Sequence, residues 1–400
     1  MRAYVIQAGS KTGSITTLPI PAIPSPNHAL IRILRAGICN TDLEILQGYM
    51  GFSGTLGHEF VGVVHSLHET TSRALQSEWV GQRVCGDINV GCQSCGVCTD
   101  SLGYNEFHSQ MRRNHCPNRS VLGILKKDGT FGEYMILPLG NLHKVPTGMK
   151  DEVAVFAEPL AAACRIVEQS LVHFSYAEGN GNSNQRKQAR GGDRVAILGD
   201  GKLGLCVAEI LGREYLRCCC ANDKDKDCII KDSPPPPILF GKHQHKLDLV
   251  SDSGVKTRLV SECYQDEEQQ QLSPSHANIY DVVIDATGNP NGLTLAMNLC
   301  RPMGTLVLKS TCAAGVKGFH SAPIVIDELT VVGSRCGPID RALELLSIEG
   351  GEGVGLDNGI PPLNMEKYIT KTFPLSQTQE ALEFAALKST MKVQLVMSEE

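Results

Sequence analysis

Two apolar rhythms divide this chain. Arg2–Ile6 alternates, and residues 29–34 form a second short apolar stretch after a proline-rich segment (Pro19, Pro21, Pro24, Pro26), so the start predicts a small β region. Further on, Val195–Leu198 is an unbroken apolar run, as expected of a parallel strand buried on both faces, and 281–285, 305–308 and 329–333 read as further strands, about six in all. The first of them leads into Gly199-Asp200-Gly201-Lys202-Leu203-Gly204, a GxGxxG turn. Leu203, Val207, Ile210 and Leu211 then fall at i, i+4, i+7 and i+8, one face of a helix. Strand, glycine turn and helix in that order predict a dinucleotide site. Its glycines let backbone N–H groups and the positive helix end approach a pyrophosphate, which makes Gly199, Gly201, Lys202, Leu203 and Gly204 candidate cofactor residues.

Four polar stretches lack either rhythm and read as loops or insertions: 99–110, 177–190, 213–236 and 262–275. Residues 339–347 carry a helical pattern. No internal repeat is visible, and no apolar run reaches the length that spans a membrane. The chain has 400 residues and 42% hydrophobic positions, enough for two or three ordinary cores. A formal net charge of -6 offers no basic footprint for nucleic acid or a membrane surface. The start lacks the apolar core of a signal peptide, so a cytoplasmic protein is expected. Sixteen cysteines are many for that compartment, and metal ligation or free thiols explain them better than disulfides.

Three segments carry the metal chemistry. Cys39 lies in Gly37-Ile38-Cys39-Asn40-Thr41-Asp42, and His58 follows in Gly57-His58-Glu59-Phe60-Val61-Gly62. Thiolate and imidazole are both good zinc ligands, and carboxylate is acceptable. Cys92, Cys95 and Cys98 form C-x2-C-x2-C, a spacing that lets consecutive thiolates converge on one tetrahedral ion. Together these segments resemble the zinc-containing alcohol dehydrogenases of the medium-chain dehydrogenase/reductase superfamily, whose marks are GxCxTD and GHE-x2-G.

The resemblance implies an α/β protein. A GroES-like, β-rich catalytic domain (1–160 and 338–400) would carry a structural zinc lobe at 91–117. A Rossmann domain with a doubly wound parallel sheet would occupy 161–337. It also implies two zinc ions per chain. Cys39 and His58 would hold the catalytic ion, with Glu59 a ligand or near neighbour. Thr41 would pass the substrate proton outward, and Asp42 would orient His58. Cys116 resembles the fourth lobe ligand, although 17 residues separate it from Cys98, more than in the family; His108 and His115 are fallback ligands. Ala157-Glu158-Pro159-Leu160 matches an E-P-L segment of the polyol and sugar branches, which makes Glu158 the candidate third ligand or the holder of a zinc-bound water. Thr287, in the turn after 281–285, and Lys392 match slots that touch the cofactor.

Coenzyme choice turns on where the second Rossmann strand lies. If it is 216–221, Asp223, nineteen residues past Gly204, is the acid that binds the ribose of NAD. If 213–236 is an insertion, the strand is 238–240, and Gly241, Lys242 and His243 stand where the acid would be. The second alternative is preferred, because 246–250 resembles the family's next helix. A missing carboxylate beside a lysine suits a 2′-phosphate, so NADP is favoured over NAD. The expected activity is NAD(P)-linked oxidation of a secondary alcohol, polyol or sugar-like hydroxyl, or the reverse reduction, by a homodimer or homotetramer. The competing classes are a zinc-free quinone or alkene reductase of the same fold and a non-catalytic nucleotide-binding protein with relic zinc sites.

Overall fold

In a computed structural model of the chain, the structure describes residues 1–99, 112–174, 192–220, 234–266, 271–311, 321–347 and 363–397. They fall into two compact units, one of Met1–Ala161, Cys336–Gly350 and Asn364–Glu400, the other of Ala162–Arg335 and Gly351–Leu363.

The first unit is built on a seven-stranded sheet. Its order is Leu142–Lys144, Arg83–Gly86, Glu59–Leu67, His28–Ile38, Lys392–Val396 and Ile369–Pro374, with Tyr134–Pro138 also pairing His28–Ile38. His28–Ile38 is central because Ala29, Ile31, Ile33, Ala36 and Ile38 all lie at or below 1% exposure, which requires cover on both sides. A three-stranded sheet joins Gly13–Thr17, Arg2–Ile6 and Gly54–Thr55. Gly13–Thr17 escapes the sequence pattern because Gly-Ser-Ile-Thr-Thr buries no face fully.

The second unit holds a six-stranded sheet in the order Lys256–Leu259, Ile238–Gly241, Val195–Leu198, Tyr280–Asp285, Cys300–Leu308, Thr330–Gly333. Every pairing is parallel, and the chain reverses direction of travel at Val195–Leu198, the doubly wound arrangement. Val195–Leu198 is buried along its whole length, as its unbroken apolar run requires.

Ile238–Gly241 pairs in parallel with Val195–Leu198, so it is the second strand. Residues 216–220 instead finish the long helix Lys202–Cys220, which corrects the expected insertion boundary at 213. Asp223 lies outside the described residues, as do His108, most of the polar stretches 99–110 and 177–190, and 221–233. The 262–275 stretch is not featureless: Tyr264–Asp266 and Gln271–Leu272 pair antiparallel. The helix at Ile339–Ser347 forms with the expected limits. Among the described residues, no helix is long and apolar enough to cross a membrane.

Candidate active site and metal centres

Three strands of the first unit converge on one buried cluster. His28–Ile38 ends at Cys39, Glu59 opens the adjacent strand opposite Gly37, and Lys392 opens the strand on the other side, next to Val393 opposite Ile38. Cys39, His58 and Glu59 each bring one ligand atom to within 4.8 Å of the others. Gly37 makes room for this: a Cβ there would sit 2.1 Å from Glu59 Oε2.

Asp42 holds two of the three, Cys39 and His58, in place. Cys39 caps the short helix Asn40–Ile45, and its backbone N–H donates to Asp42 Oδ2 at 2.8 Å, the reciprocal half of a capping box. The other carboxylate oxygen, Oδ1, faces His58 Nδ1 at 3.4 Å. Both of those atoms are buried and make no hydrogen bond elsewhere. Burial alone would lower the His58 pKa. The Asp42 carboxylate and the Cys39 sulfur facing the ring outweigh it and raise it well above the ordinary value. A ring aimed this way, Nδ1 toward a carboxylate and the other nitrogen left for a ligand, is how metal-bound histidines are usually oriented. The cluster fits a divalent cation that would take the place of the proton.

A second cluster is formed by Cys92, Cys95, Cys98 and Cys116, again with ligand atoms within 4.8 Å of one another. The Cys92 backbone N–H donates to Cys116 Sγ at 3.4 Å, and Cys95 and Cys116 sulfurs lie 3.7 Å apart. The Ser94 hydroxyl and nearby backbone N–H groups hold the Cys92 thiol down to about 5, while burial and neighbouring thiols push Cys98 up to about 12. Four such thiols cannot all ionise without a cation between them, and four thiolates are a donor set suited to zinc. The long gap before Cys116 has not kept it from the cluster, and His115 stands outside it.

In the second unit the glycine turn follows Val195–Leu198 and leads straight into the helix from Lys202. Gly199 adopts φ +112, and a Cβ there would meet the Ala286 carbonyl oxygen at 2.9 Å, so a side chain is excluded on both counts. A Cβ on Gly201 would meet nothing within 4 Å: the turn leaves open space above it, as a bound pyrophosphate requires.

Comparison with known proteins now decides the lineage. Residues 25–147 match the family described as "Alcohol dehydrogenase GroES-like domain", and residues 237–348 match "Zinc-binding dehydrogenase". Together the matches span more than half of the chain. The chain belongs to the zinc-type medium-chain dehydrogenase family. It is 26% identical to the starvation-sensing protein RspB of Escherichia coli K12 over 100% of both chains. It is 27% identical to the erythritol/L-threitol dehydrogenase of Mycolicibacterium smegmatis, over 94% of this chain and 92% of that one. In structure it is similar to a zinc-binding dehydrogenase of Sinorhizobium meliloti 1021 bound to NADP, with TM-score 0.73, 24% identity and 99% of each chain covered.

Four further residues singled out by the family resemblance have definite places. Glu158, in the helix Ala157–Glu168, stands outside the Cys39–His58–Glu59 trio yet within its field. Burial raises its pKa to about 7; the Glu59 and Asp87 carboxylates add to this against the opposing pull of His58 and Lys392. Thr41 Oγ1 lies 3.8 Å from Cys39 Sγ. Lys392 is 3% exposed, and its Nζ lies 2.5 Å from Glu59 Oε2, so its charge is committed to the carboxylate of the metal cluster. Thr287 is in the second unit, where its hydroxyl and backbone N–H both donate to Asp285 Oδ1, at 2.6 and 2.9 Å.

One contact has no counterpart in the sequence reading. Asp200, in the x position of the glycine turn, accepts from the backbone N–H groups of Lys242 and His243 at 2.8 and 2.7 Å, and from His243 Nδ1 at 2.9 Å. It lies more than forty residues away along the chain, where local pattern cannot find it.

Proposed function

We propose that this protein is a zinc-dependent, NADP-preferring dehydrogenase of the cytoplasm that oxidises a secondary alcohol, polyol or sugar-like hydroxyl, reversibly, as a homodimer or homotetramer. The observation that carries this reading is the convergence of Cys39, His58 and Glu59 within 4.8 Å, braced by Asp42. Its family membership supplies the reaction class. The E-P-L segment at Glu158 and the similarity to a relative named erythritol/L-threitol dehydrogenase favour polyols.

Cys39, His58 and either Glu59 or Glu158 would hold the catalytic zinc, and Cys92, Cys95, Cys98 and Cys116 the structural one. Zinc supplies a Lewis acid that eases ionisation of a bound alcohol, and the nicotinamide supplies the hydride acceptor. The remaining work falls to the chain. Thr41, partly exposed beside Cys39, is placed to receive the hydroxyl proton and release it to solvent. Asp42 fixes both ligands through its two oxygens. Lys392 neutralises Glu59, which leaves that carboxylate a neighbour of the metal more readily than a full ligand. Glu158, poised near neutrality, can then hold or release a proton beside the site.

The test is Cys39→Ala in the full-length protein. It is expected to abolish alcohol-dependent NADPH formation and to leave about one zinc fewer per chain, while fluorescence of bound NADPH persists. Turnover that survives with the metal content unchanged would remove Cys39 and its ion from the reaction. A wild type holding zinc only in the four-cysteine lobe would favour the non-catalytic reading instead.

A further inference from the structure

The end of the second Rossmann strand is where such proteins read the adenosine ribose. Here the residue in the acid's place is Gly241, and the structure shows what fills the room. A Cβ on Gly241 would lie 2.7 Å from Asp200 Cβ and 3.0 Å from Asp200 Cγ. The carboxylate therefore comes from the glycine turn, and no side chain fits at 241 while Asp200 stands there.

That carboxylate is turned inward. Its Oδ2 accepts three hydrogen bonds, two from the backbone of the turn at Lys242 and His243 and one from the His243 ring. The Asp200 side chain is 12% exposed, against 35% for His243, and Lys242 is exposed. A carboxylate only accepts, so His243 Nδ1 carries the proton of this bond. The opposite ring nitrogen, Nε2, is left on the more exposed side of the pair. An aspartate bonded to Nδ1–H in this way fixes the orientation and tautomer of the ring. Lys242 adds an exposed basic side chain directly beside that ring. The two backbone N–H groups are already taken, so an anion at this strand end has to be met by side chains.

We propose that Asp200 is a positioning residue for coenzyme choice, holding His243 with its Nε2 available beside Lys242 as the receptor for the 2′-phosphate of NADP. This rests on the dinucleotide reading above and deepens it: selectivity resides in a pair, Asp200 and His243, as well as in the lysine. The alternative use of the same geometry is a ribose site in which Asp200 accepts the 2′-hydroxyl of NAD.

Half-cofactors separate the two without zinc or turnover. Calorimetric titration of the full-length protein with 2′,5′-ADP and with 5′-AMP gives a discrimination ratio that depends only on the 2′-phosphate. In the wild type 2′,5′-ADP is expected to bind at least about tenfold tighter, the worth of a charge-assisted hydrogen bond. Asp200→Asn and His243→Gln are each expected to cut that ratio about tenfold, with 5′-AMP affinity unchanged, which also reports that the fold is intact. If Asp200 acts through His243, adding D200N to H243Q changes the ratio no further.

Three results would overturn the proposal. One is 5′-AMP binding as tightly as 2′,5′-ADP. Another is D200N weakening 5′-AMP and sparing the ratio, which assigns Asp200 to the ribose hydroxyl. The third is equal losses from D200N in both backgrounds, which reduces it to a brace of the turn. Failure of the wild type to bind either nucleotide sinks the dinucleotide reading itself, and this proposal with it.

Discussion

Buried ionisable groups surround the Cys39–His58–Glu59 cluster, and their roles can be tested by substitution. Lys392 and Glu59 are 3% and 1% exposed and paired at 2.5 Å. Removing one partner of such a pair strands the other charge, at a cost of about 3–5 kcal/mol. Lys392→Met should therefore lower the denaturant midpoint markedly with no change in slope, whereas the double replacement Lys392→Met with Glu59→Gln should recover much of the loss. Asp42→Asn keeps the volume but leaves His58 Nδ1 without its acceptor charge, and a 10–100-fold loss in zinc affinity is the usual scale, so about that loss is expected in competition with a chelator. Glu158 gives a pH signature. In the metal-free fold its carboxyl keeps a proton up to about 7, against 4.5 as its ordinary value. A carboxyl with a raised folded pKa stabilises the fold below its unfolded value, and that contribution is lost as pH rises from about 4.5 to about 7. Metal-free Glu158→Gln should match wild type near pH 4 and exceed it at pH 8, by at most about 3 kcal/mol. Equal stability at pH 8 would mean that Glu158 ionises there at no cost.

At the scale of elements, sequence and structure agree wherever a pattern is local. The buried strand Val195–Leu198, the turn that follows it and the helix Ile339–Ser347 each lie within one stretch of chain, so period and glycine spacing define them. The second Rossmann strand was harder, because Leu-Arg-Cys-Cys-Cys at 216–220 is apolar enough to read as a strand. It is instead the last turn of the helix Lys202–Cys220, and Ile238–Gly241 takes the parallel place beside Val195–Leu198. Contacts between distant elements were not legible. Nothing near Glu59 announces Lys392, 333 residues on, and nothing near Asp200 announces His243. The same limit applies to Cys116, whose kinship to Cys92, Cys95 and Cys98 came from a motif and whose place in the cluster comes from the fold. The lobe gives an element-scale prediction. Cys116→Ser should remove about one zinc per chain and lower the thermal midpoint while the Cys39 site stays loaded, as read by metal analysis and by calorimetry on one sample.

For the whole molecule, assembly turns on an edge of the second unit's sheet. Thr330–Gly333 is the last strand of the six-stranded sheet, so one side of it has no partner among the described strands. An edge of that kind is normally blunted by charge, proline or cover. Here Val331 is 40% exposed, and Met303, Val325 and Ile326 in the neighbouring elements are 71%, 73% and 76% exposed. Large apolar side chains gathered at an unpaired edge mark an interaction surface more often than a solvated face. The dimer proposed above would place a second copy here: two identical edges related by a twofold axis would run antiparallel, bond to each other and bury the same residues on both sides. Placing a charge in the patch should then separate the subunits and leave each unit folded. Ile326→Asp with Val331→Lys is expected to move the mass measured by light scattering to that of one chain, 43.2 kDa, at micromolar concentration. Binding of 2′,5′-ADP should persist, because its proposed receptor at Asp200, Lys242 and His243 lies at the end of a different strand. A doubly substituted protein that keeps the wild-type mass would place the subunit contact elsewhere and leave this edge without its partner.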